Sequence, residues 1–321
     1  MDESVGLSIV IPVFNSSQTI GRLVHDLGNL KISGGFEIIL VNDGSADNSQ
    51  QICEELARTS LVPVTVVEHT RNYGEHNAVI SGFRWVNGRY VITMDDDFQN
   101  PPDEVPRLYE FIQKQDRDVI YCDYEEKQDA WWRNWGSWLA EKTANMVFDK
   151  PKDLYWSSFR CMKRFVVDEV ACDRGPFPYI DGLIFQVTSN ISFMTVQHHT
   201  RRVSKSNYNL SGLVRLWLSI LINFSVKPLR LGFFFGVGLI CIGGVGLLSI
   251  FFELFFLDTV SREGNVLMMI GFLFAGGQFL MLALVGEYVG RAHLAIGKKP
   301  QSVIRKVLKP KRENSPHSRN E

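Results

Sequence analysis

The chain has 321 residues, with 34 Lys and Arg against 35 Asp and Glu and a formal net charge of -1. Hydrophobic residues make up 45% and charged residues 21%, which excludes disorder and a nucleic-acid footprint as global descriptions. Cys53, Cys122, Cys161, Cys172 and Cys241 are scattered without CxxC spacing, which argues against a disulfide framework or structural zinc and suits a reducing cytosol.

Met1-Asp2-Glu3-Ser4 leads directly into a strand-like stretch, with no basic segment ahead of an apolar one, so no cleaved signal peptide is expected. From residue 5 to about 200, short β-branched runs alternate with amphipathic segments of mixed charge. Strands are predicted at Leu7–Val13, 37–41, 64–68, 89–94 and 119–121, and helical spacing at 19–30 and Ser49–Thr59. Turn signals such as Asn42-Asp43-Gly44-Ser45 punctuate the strand ends. This rhythm predicts an α/β domain over 1–204, a mainly parallel sheet with helices on both faces. Ligands bind such sheets at the carboxyl ends of the strands. Within 128–149, Trp131, Trp135 and Trp138 recur at i, i+4 and i+7 beside Trp132, so a helix with an aromatic stripe either packs in the core or meets a membrane boundary.

Residues 205–230 carry Leu213, Leu216, Trp217, Ile220, Leu221 and Phe224 on one side, with Arg215, Lys227 and Arg230 for charge and Pro228 near the end. Such a juxtamembrane segment is either a helix packed on the preceding domain or one lying along the headgroup layer. Residues 231–257 hold one charge, Glu253, and residues 266–286 have Gln278 as their only strongly polar side chain. At ~1.5 Å per residue either run crosses a hydrocarbon core of ~30 Å. Two transmembrane helices, 231–257 and 266–290, are therefore predicted as a tight hairpin. The connection between them has only Arg262 as a basic residue, whereas Arg201, Arg202, Lys205, Arg215, Lys227 and Arg230 precede it and the tail 291–321 is rich in Lys and Arg. The positive-inside rule then leaves the α/β domain and the tail both cytoplasmic. The charge of the tail is read as headgroup attraction and topology rather than a nucleic-acid arm.

The chemistry concentrates at strand ends. Asp95-Asp96-Asp97 follows the strand at 89–94 and precedes Phe98-Gln99-Asn100-Pro101-Pro102. Three adjacent carboxylates repel one another unless a cation is present. Alternation sets Asp95 and Asp97 on one side and Asp96 opposite. Two carboxylates with room for water and phosphate oxygens suit Mg²⁺ or Mn²⁺ held against a diphosphate; a solvated acidic turn is the alternative. Asp43 ends another strand, where it either accepts hydrogen bonds from a base or ribose or caps the helix Ser49–Thr59. Pro12 and Asn15 reach the same edge, and Arg71-Asn72-Tyr73-Gly74 adds a cation and a close backbone approach. His69, His76, His198 and His199 lack metal-like spacing.

Ser8-Ile9-Val10-Ile11-Pro12-Val13-Phe14-Asn15, the stretch 41–45, the loop 71–74 and the stretch 95–102, in this order, resemble the family 2 glycosyltransferases with the GT-A (Rossmann-like) fold. The two C-terminal spans and Gly286-Glu287-Tyr288-Val289-Gly290-Arg291 narrow the resemblance to the polyisoprenyl-phosphate glycosyltransferases, the group that includes dolichol-phosphate mannose synthase and the bacterial undecaprenyl-phosphate glucosyl- and aminoarabinosyltransferases. The resemblance implies a multi-pass enzyme of the bacterial inner membrane. It would transfer a sugar, with inversion, from a nucleotide sugar (UDP-hexose first) to polyprenyl phosphate. Pro12, Asn15, Asp43, Arg71, Asp95 and Asp96 would then line the nucleotide-sugar site, and Asp95, Asp97 and Gln99 would hold the Mg²⁺ or Mn²⁺. Arg201 and Lys205 match a basic element that grips phosphate oxygens, with Ser204 where glycine is usual.

One departure concerns the base. Relatives often carry Gly-Asp-Phe-Arg, whose aspartate is a proposed base, and Ser157-Ser158-Phe159-Arg160 puts Ser158 in its place. A serine is no base unaided, yet a lipid phosphate with a second pKa of about 6 is already anionic and needs positioning more than deprotonation. Asp181 is the candidate substitute, with a structural turn as its alternative. Asp97 and these two make up the expected catalytic set. The resemblance further implies a lipid bilayer, a homo-oligomer (a tetramer among relatives) and no nucleic acid as partners. It also implies a separate flippase downstream, because two helices form no wide pore. Two other readings stay open: a transferase that elongates a glycan directly, with the hairpin only as an anchor, and a catalytically silent scaffold.

Overall fold

The computed structural model of the chain describes residues 5–124, 157–173, 175, 178–196, 238, 241, 245, 248, 263–296 and 300–310. The tryptophans of 128–149, the pair Arg201 and Lys205, the segment 205–230 and nearly all of the first predicted span lie outside the described residues. The chain divides into two compact units, one made of 1–139, 150–208 and 300–321, the other of 140–149 and 209–299.

The first unit follows the alternation read from the sequence: β1 (Leu7–Val13), α1 (Ile20–Gly28), β2 (Phe36–Asn42), α2 (Ser49–Thr59), β3 (Val64–His69), α3 (Glu75–Phe83), β4 (Tyr90–Thr93), α4 (Glu104–Gln115) and β5 (Val119–Tyr124). After the undescribed stretch come β6 (Arg160–Lys163), α5 (Arg164–Ala171), α6 (Ile180–Val187) and β7 (Ile191–Val196). The described strands lie in the order β7-β5-β6-β4-β1-β2-β3, and a strand from the tail, β8 (Ile304–Leu308), completes the sheet beside β3.

β1 pairs in parallel with both β2 and β4, and β2 with β3, so Val13, Asn42, His69 and Thr93 end on one edge. The sheet is mixed rather than mainly parallel. β6 runs antiparallel to β4 and β5, and β8 antiparallel to β3. The tail expected over 291–321 is thereby divided: 291–296 continue a helix and 304–308 enter the sheet.

Two apolar layers hold the helices to the sheet. On α1, buried Ile20, Leu23, Val24 and Leu27 recur at helical spacing, as do Val105, Leu108, Tyr109 and Ile112 on α4. They pack with Ile9, Ile11, Leu40 and Ile92 on one face of the sheet. Val10, Ile39, Val41 and Val91 point to the other face, where α3, α5 and α6 supply Ala78, Phe83, Val166, Val170 and Ile184. Strands buried on both faces read as unbroken apolar runs, which is why 7–13 and 36–42 stand out in the sequence.

Of the second unit, one helix is described at length, α7 (Glu263–Ile296), whose 34 residues extend about 50 Å. Judged on the described residues alone, no helix is long and apolar enough to cross a membrane. Several of the apolar side chains of α7 lie outside that set.

Helix α3 approaches the sheet most closely at Gly82, where a Cβ would fall 2.5 Å from Val10 Cγ1 and 3.0 Å from Val41 Cγ2. Gly82→Ala should therefore overpack this face and cost about 1–3 kcal/mol. Equal melting temperatures for variant and wild type would refute that close contact.

Candidate active site

The edge where β1, β2, β3 and β4 end gathers most of the chemically active side chains read from the sequence. Asn15, just past β1, sits at φ 55°, a left-handed conformation that Asn tolerates better than most residues. Its amide donates to Ser45 Oγ at 3.0 Å and its Oδ1 accepts the Ala46 amide at 2.9 Å, which ties the first loop to the second. Pro12 lies within β1, opposite Val41. Gly44 has φ 67°, and a Cβ on it would come 2.4 Å from the Arg71 carbonyl carbon. Only glycine lets the second and third loops close on each other there.

Asp43 is 2% exposed. Its Oδ1 accepts from His69 Nδ1 at 2.7 Å and from the Tyr73 amide at 2.9 Å, and its Oδ2 accepts from the Gly74 amide at 2.7 Å. The buried Asp43 carboxylate thus holds three internal donors, and the start of the helix that follows is served by Asp47. The Asp47 carboxylate accepts from the Ser49 amide and the Ser17 amide, each at 3.0 Å. Burial opposes its ionisation, but the hydrogen bonds from Ser49 and Ser17 win and hold it down to about 2. Asp43 instead clamps the loop that carries Arg71, an exposed guanidinium 4.8 Å from the Tyr73 ring centroid.

The three carboxylates after β4 fan apart. Because β4 ends at Thr93, the alternation of a strand does not govern them. Ser158 Oγ donates to Asp95 Oδ2 at 2.5 Å. Ser16 Oγ donates to Asp96 Oδ2, and the Phe14 amide reaches the same oxygen at 3.4 Å. The Gln99 amide donates to Asp97 Oδ1 at 3.1 Å. Burial pushes the Asp96 carboxyl up to about 6, with the charges of Asp95 and Asp97 adding and the Ser16 hydroxyl opposing. Among the described residues no three His, Cys, Asp or Glu side chains form a ready-made metal cage. A cation held by one or two carboxylates and completed by diphosphate oxygens needs none.

Beneath Ser158 lies a buried charge pair. Arg160 is 3% exposed; its Nη1 meets Asp181 Oδ1, its Nε donates to Thr93 Oγ1 at 3.2 Å, and the Tyr121 hydroxyl donates to the same Asp181 oxygen at 2.9 Å. Thr93 Oγ1 donates in turn to the Ser158 carbonyl at 2.6 Å. Asp181, the candidate substitute base, is thus the counter-charge of Arg160. An isolated buried guanidinium would be costly, and Asp181 supplies its counter-charge.

Residues 8–171 match the family description Glycosyl transferase family 2. The undecaprenyl-phosphate 4-deoxy-4-formamido-L-arabinose transferase of Pseudomonas savastanoi pv. phaseolicola is 33% identical over 315 residues, covering 96% of this chain and 92% of that one. Its namesake in Pseudomonas syringae pv. syringae is 32% identical, covering 94% of this chain and 91% of that one. The chain belongs to glycosyltransferase family 2. Glucosyl-3-phosphoglycerate synthase from Mycobacterium tuberculosis, solved with Mn²⁺, uridine diphosphate and glucosyl-3-phosphoglycerate, matches with a TM-score of 0.53 at 16% identity, over 68% of this chain and 79% of that one. That likeness supports the GT-A-type fold of this family 2 glycosyltransferase.

Sequence reasoning did not single out Glu75, Ser81 or Ser16, gave Arg160 no role, and read His69 as structural or weakly phosphate-contacting. Glu75, the first residue of α3, is solvent-accessible yet crowded by protein. That crowding and the Asp95 charge push it up to about 7, against the pull of Arg160. The available signal was position, since each of these polar residues follows or interrupts an apolar run at a strand end or on a helix.

The raised Asp96 pKa sets a pH dependence. The folded state holds a proton that the unfolded state releases between the ordinary value of 3.8 and about 6. This contribution to stability is complete below about pH 4 and is lost as pH rises through about 6. Asp96→Asn cannot titrate. Between pH 4 and 7 the metal-free variant should lose about 1–2 kcal/mol less stability than the wild type. Parallel denaturation curves across that range would refute it.

Proposed function

We propose that this glycosyltransferase moves a sugar from a nucleotide donor onto the phosphate of undecaprenyl phosphate, inverting the anomeric carbon. The observation that carries the reading is the likeness, over nearly the whole of each chain, to two Pseudomonas proteins that bear that acceptor in their names. The acidic edge of the sheet supports it, because it offers what a nucleotide diphosphate requires. In this reading the nucleotide lies across the ends of β1, β2 and β3, among Pro12, Asn15 and Arg71, with Asp43 holding the loop that carries Arg71. A uridine-linked sugar, hexose first, heads the donor candidates.

Asp95 and Asp97, with Gln99 beside them, would hold Mg²⁺ or Mn²⁺. Two carboxylates completed by phosphate oxygens and water make the donor set these ions take. A bound cation there would offset the negative charge that grows on the departing diphosphate. Asp96, bonded to Ser16, shapes the donor loop from the far side. Ser158, bonded to Asp95, orients that carboxylate and removes no proton. None is needed, since a phosphate monoester with a second pKa of about 6 brings its own anionic oxygen.

Arg201 and Lys205 would grip the acceptor phosphate. The segment 205–230 and a hairpin of 231–257 and 266–290 would seat the catalytic domain, residues 1–204 with the returning strand β8, on the cytoplasmic face of a bacterial inner membrane. A homo-oligomer is expected, and a separate flippase would carry the product onward. The apolar runs of the sequence and the length of α7 support the hairpin.

Membranes incubated with a panel of labelled nucleotide sugars, UDP-glucose and a 4-deoxy-4-formamido-L-arabinose donor among them, should pass label into an organic-solvent extract when undecaprenyl phosphate is supplied. Label confined to polymer would point to direct glycan elongation, and no transfer from any donor would sink the reading. Asp97→Ala should reduce transfer at least about a hundredfold while leaving membrane insertion unchanged. Chelation with EDTA should stop turnover and added Mn²⁺ or Mg²⁺ restore it; full activity in EDTA would remove the cation from the reading.

A further inference from the structure

The tail strand β8 closes the free edge of β3, and Ser302, two residues ahead of it, ends a partly buried chain of hydrogen bonds that begins at the loop 71–74. We infer that Ser302 is a positioning residue for the donor site, acting through Ser81, His69 and Asp43 on the backbone of the loop 71–74. Ser302 Oγ lies 2.8 Å from Ser81 Oγ, which lies 2.9 Å from His69 Nε2. His69 Nδ1 is 2.7 Å from Asp43 Oδ1, and the Asp43 carboxylate takes the amides of Tyr73 and Gly74.

A carboxylate only accepts, so Nδ1 carries a proton on the Asp43 side. Nε2 pairs with the Ser81 hydroxyl, which pairs in turn with Ser302, and a hydroxyl can donate or accept. Ser302 keeps the Ser81 hydroxyl aimed at the imidazole. Without it, Ser81 is free to turn towards the backbone carbonyl one helical turn back, as helical serines do. His69 Nε2 would then lose its Ser81 partner. His69, Ser81 and Asp43 are buried, so water does not readily replace a lost partner.

Other contacts dock the strand independently of Ser302. The Thr70 amide donates to the Val303 carbonyl at 3.0 Å, and Arg305 meets Glu68 at 2.9 Å. Lys306 pairs with Glu54 at 3.1 Å, and Gln301 Nε2 donates to Asp173 at 3.0 Å and to the Gly175 carbonyl at 2.8 Å. Removing the Ser302 hydroxyl therefore breaks the relay while β8 stays docked. The functional side of the inference rests on the proposal that the loop 71–74 faces the nucleotide.

Hydrogen–deuterium exchange on the full chain in detergent tests the relay without any substrate. In Ser302→Ala the amides of Tyr73 and Gly74 should exchange about fivefold faster than in wild type, with β1 and β2 unchanged, and Ser302→Thr should restore protection. Unchanged exchange at Tyr73 and Gly74, or faster exchange across the whole sheet, would overturn it. With the donor identified by the panel above, Ser302→Ala should raise KM for that donor about fivefold and alter kcat less than about twofold. A fall in kcat at constant KM would overturn the positioning role. Because the exchange measurement needs no donor, failure of the relay and failure of the transferase reading are told apart.

Discussion

A carboxylate taken out of water must find hydrogen bonds or it destabilises the fold, and Asp43 finds them in a way that fixes the whole donor edge. Its three donors come from the last residue of β3 and from the turn that starts α3. One side chain at the end of β2 therefore sets the spacing of two neighbouring strand ends and the point at which α3 begins. The demand reaches back into the sequence. The loop held by Asp43 passes so close to residue 44 that no side chain fits there, and the amide of Asp43 itself donates to the Val13 carbonyl at 2.9 Å. Loops one, two and three are then one object, and Arg71 and Asn15 ride on it with little freedom to drift.

The remaining charges follow from this rigidity. Arg160 and Asp181 cancel each other below the site, so their pair does little to relieve the carboxylates after β4. The pair anchors the antiparallel strand that brings Ser158 to Asp95. The acidic surplus is met in other ways: a proton on Asp96 below about pH 6, hydroxyl donors from Ser16 and Ser158, and, in the proposed reaction, a cation shared with the substrate. Three adjacent carboxylates favour a ligand that arrives with its own cation over one that arrives as a bare anion.

What could be read in the sequence depended on how many residues carried each signal. The strands β1, β2 and β3 announced themselves because nearly all of their residues are buried and their runs are dominated by Val, Ile and Leu. α1 and α2 were visible from their spacing, and the acidic trio from its place after β4. The short antiparallel β6 has four residues and includes Arg160 and Lys163, so neither alternation nor hydropathy marks it. β8 reads Ile-Arg-Lys-Val-Leu, and its basic residues look like a solvated tail until Glu68 and Glu54 come alongside. The role of Asp43 was hidden for a different reason. A strand-end aspartate looks the same in sequence whatever its partners, and only the structure brings His69 and the 73–74 amides within hydrogen-bond reach of it.

The return of the chain to the sheet changes how the basic tail is to be weighed. An unpaired β3 would expose a row of backbone donors and acceptors at the rim of the donor site, and β8 covers them. Arg305 and Lys306 are therefore committed to carboxylates of the folded domain, and Lys309 lies 5.2 Å from the centre of the Trp85 ring, which leaves less charge for lipid headgroups than a free tail would offer. The positive-inside expectation is a separate matter. The positive-inside bias acts on basic residues flanking a span as it inserts, when the sheet need not yet have closed over them. Arg291, Lys298 and Lys299, nearest the second apolar run, weigh most in that count. The same tail therefore serves the sheet as a strand, with its basic residues matched to carboxylates of β3 and α2.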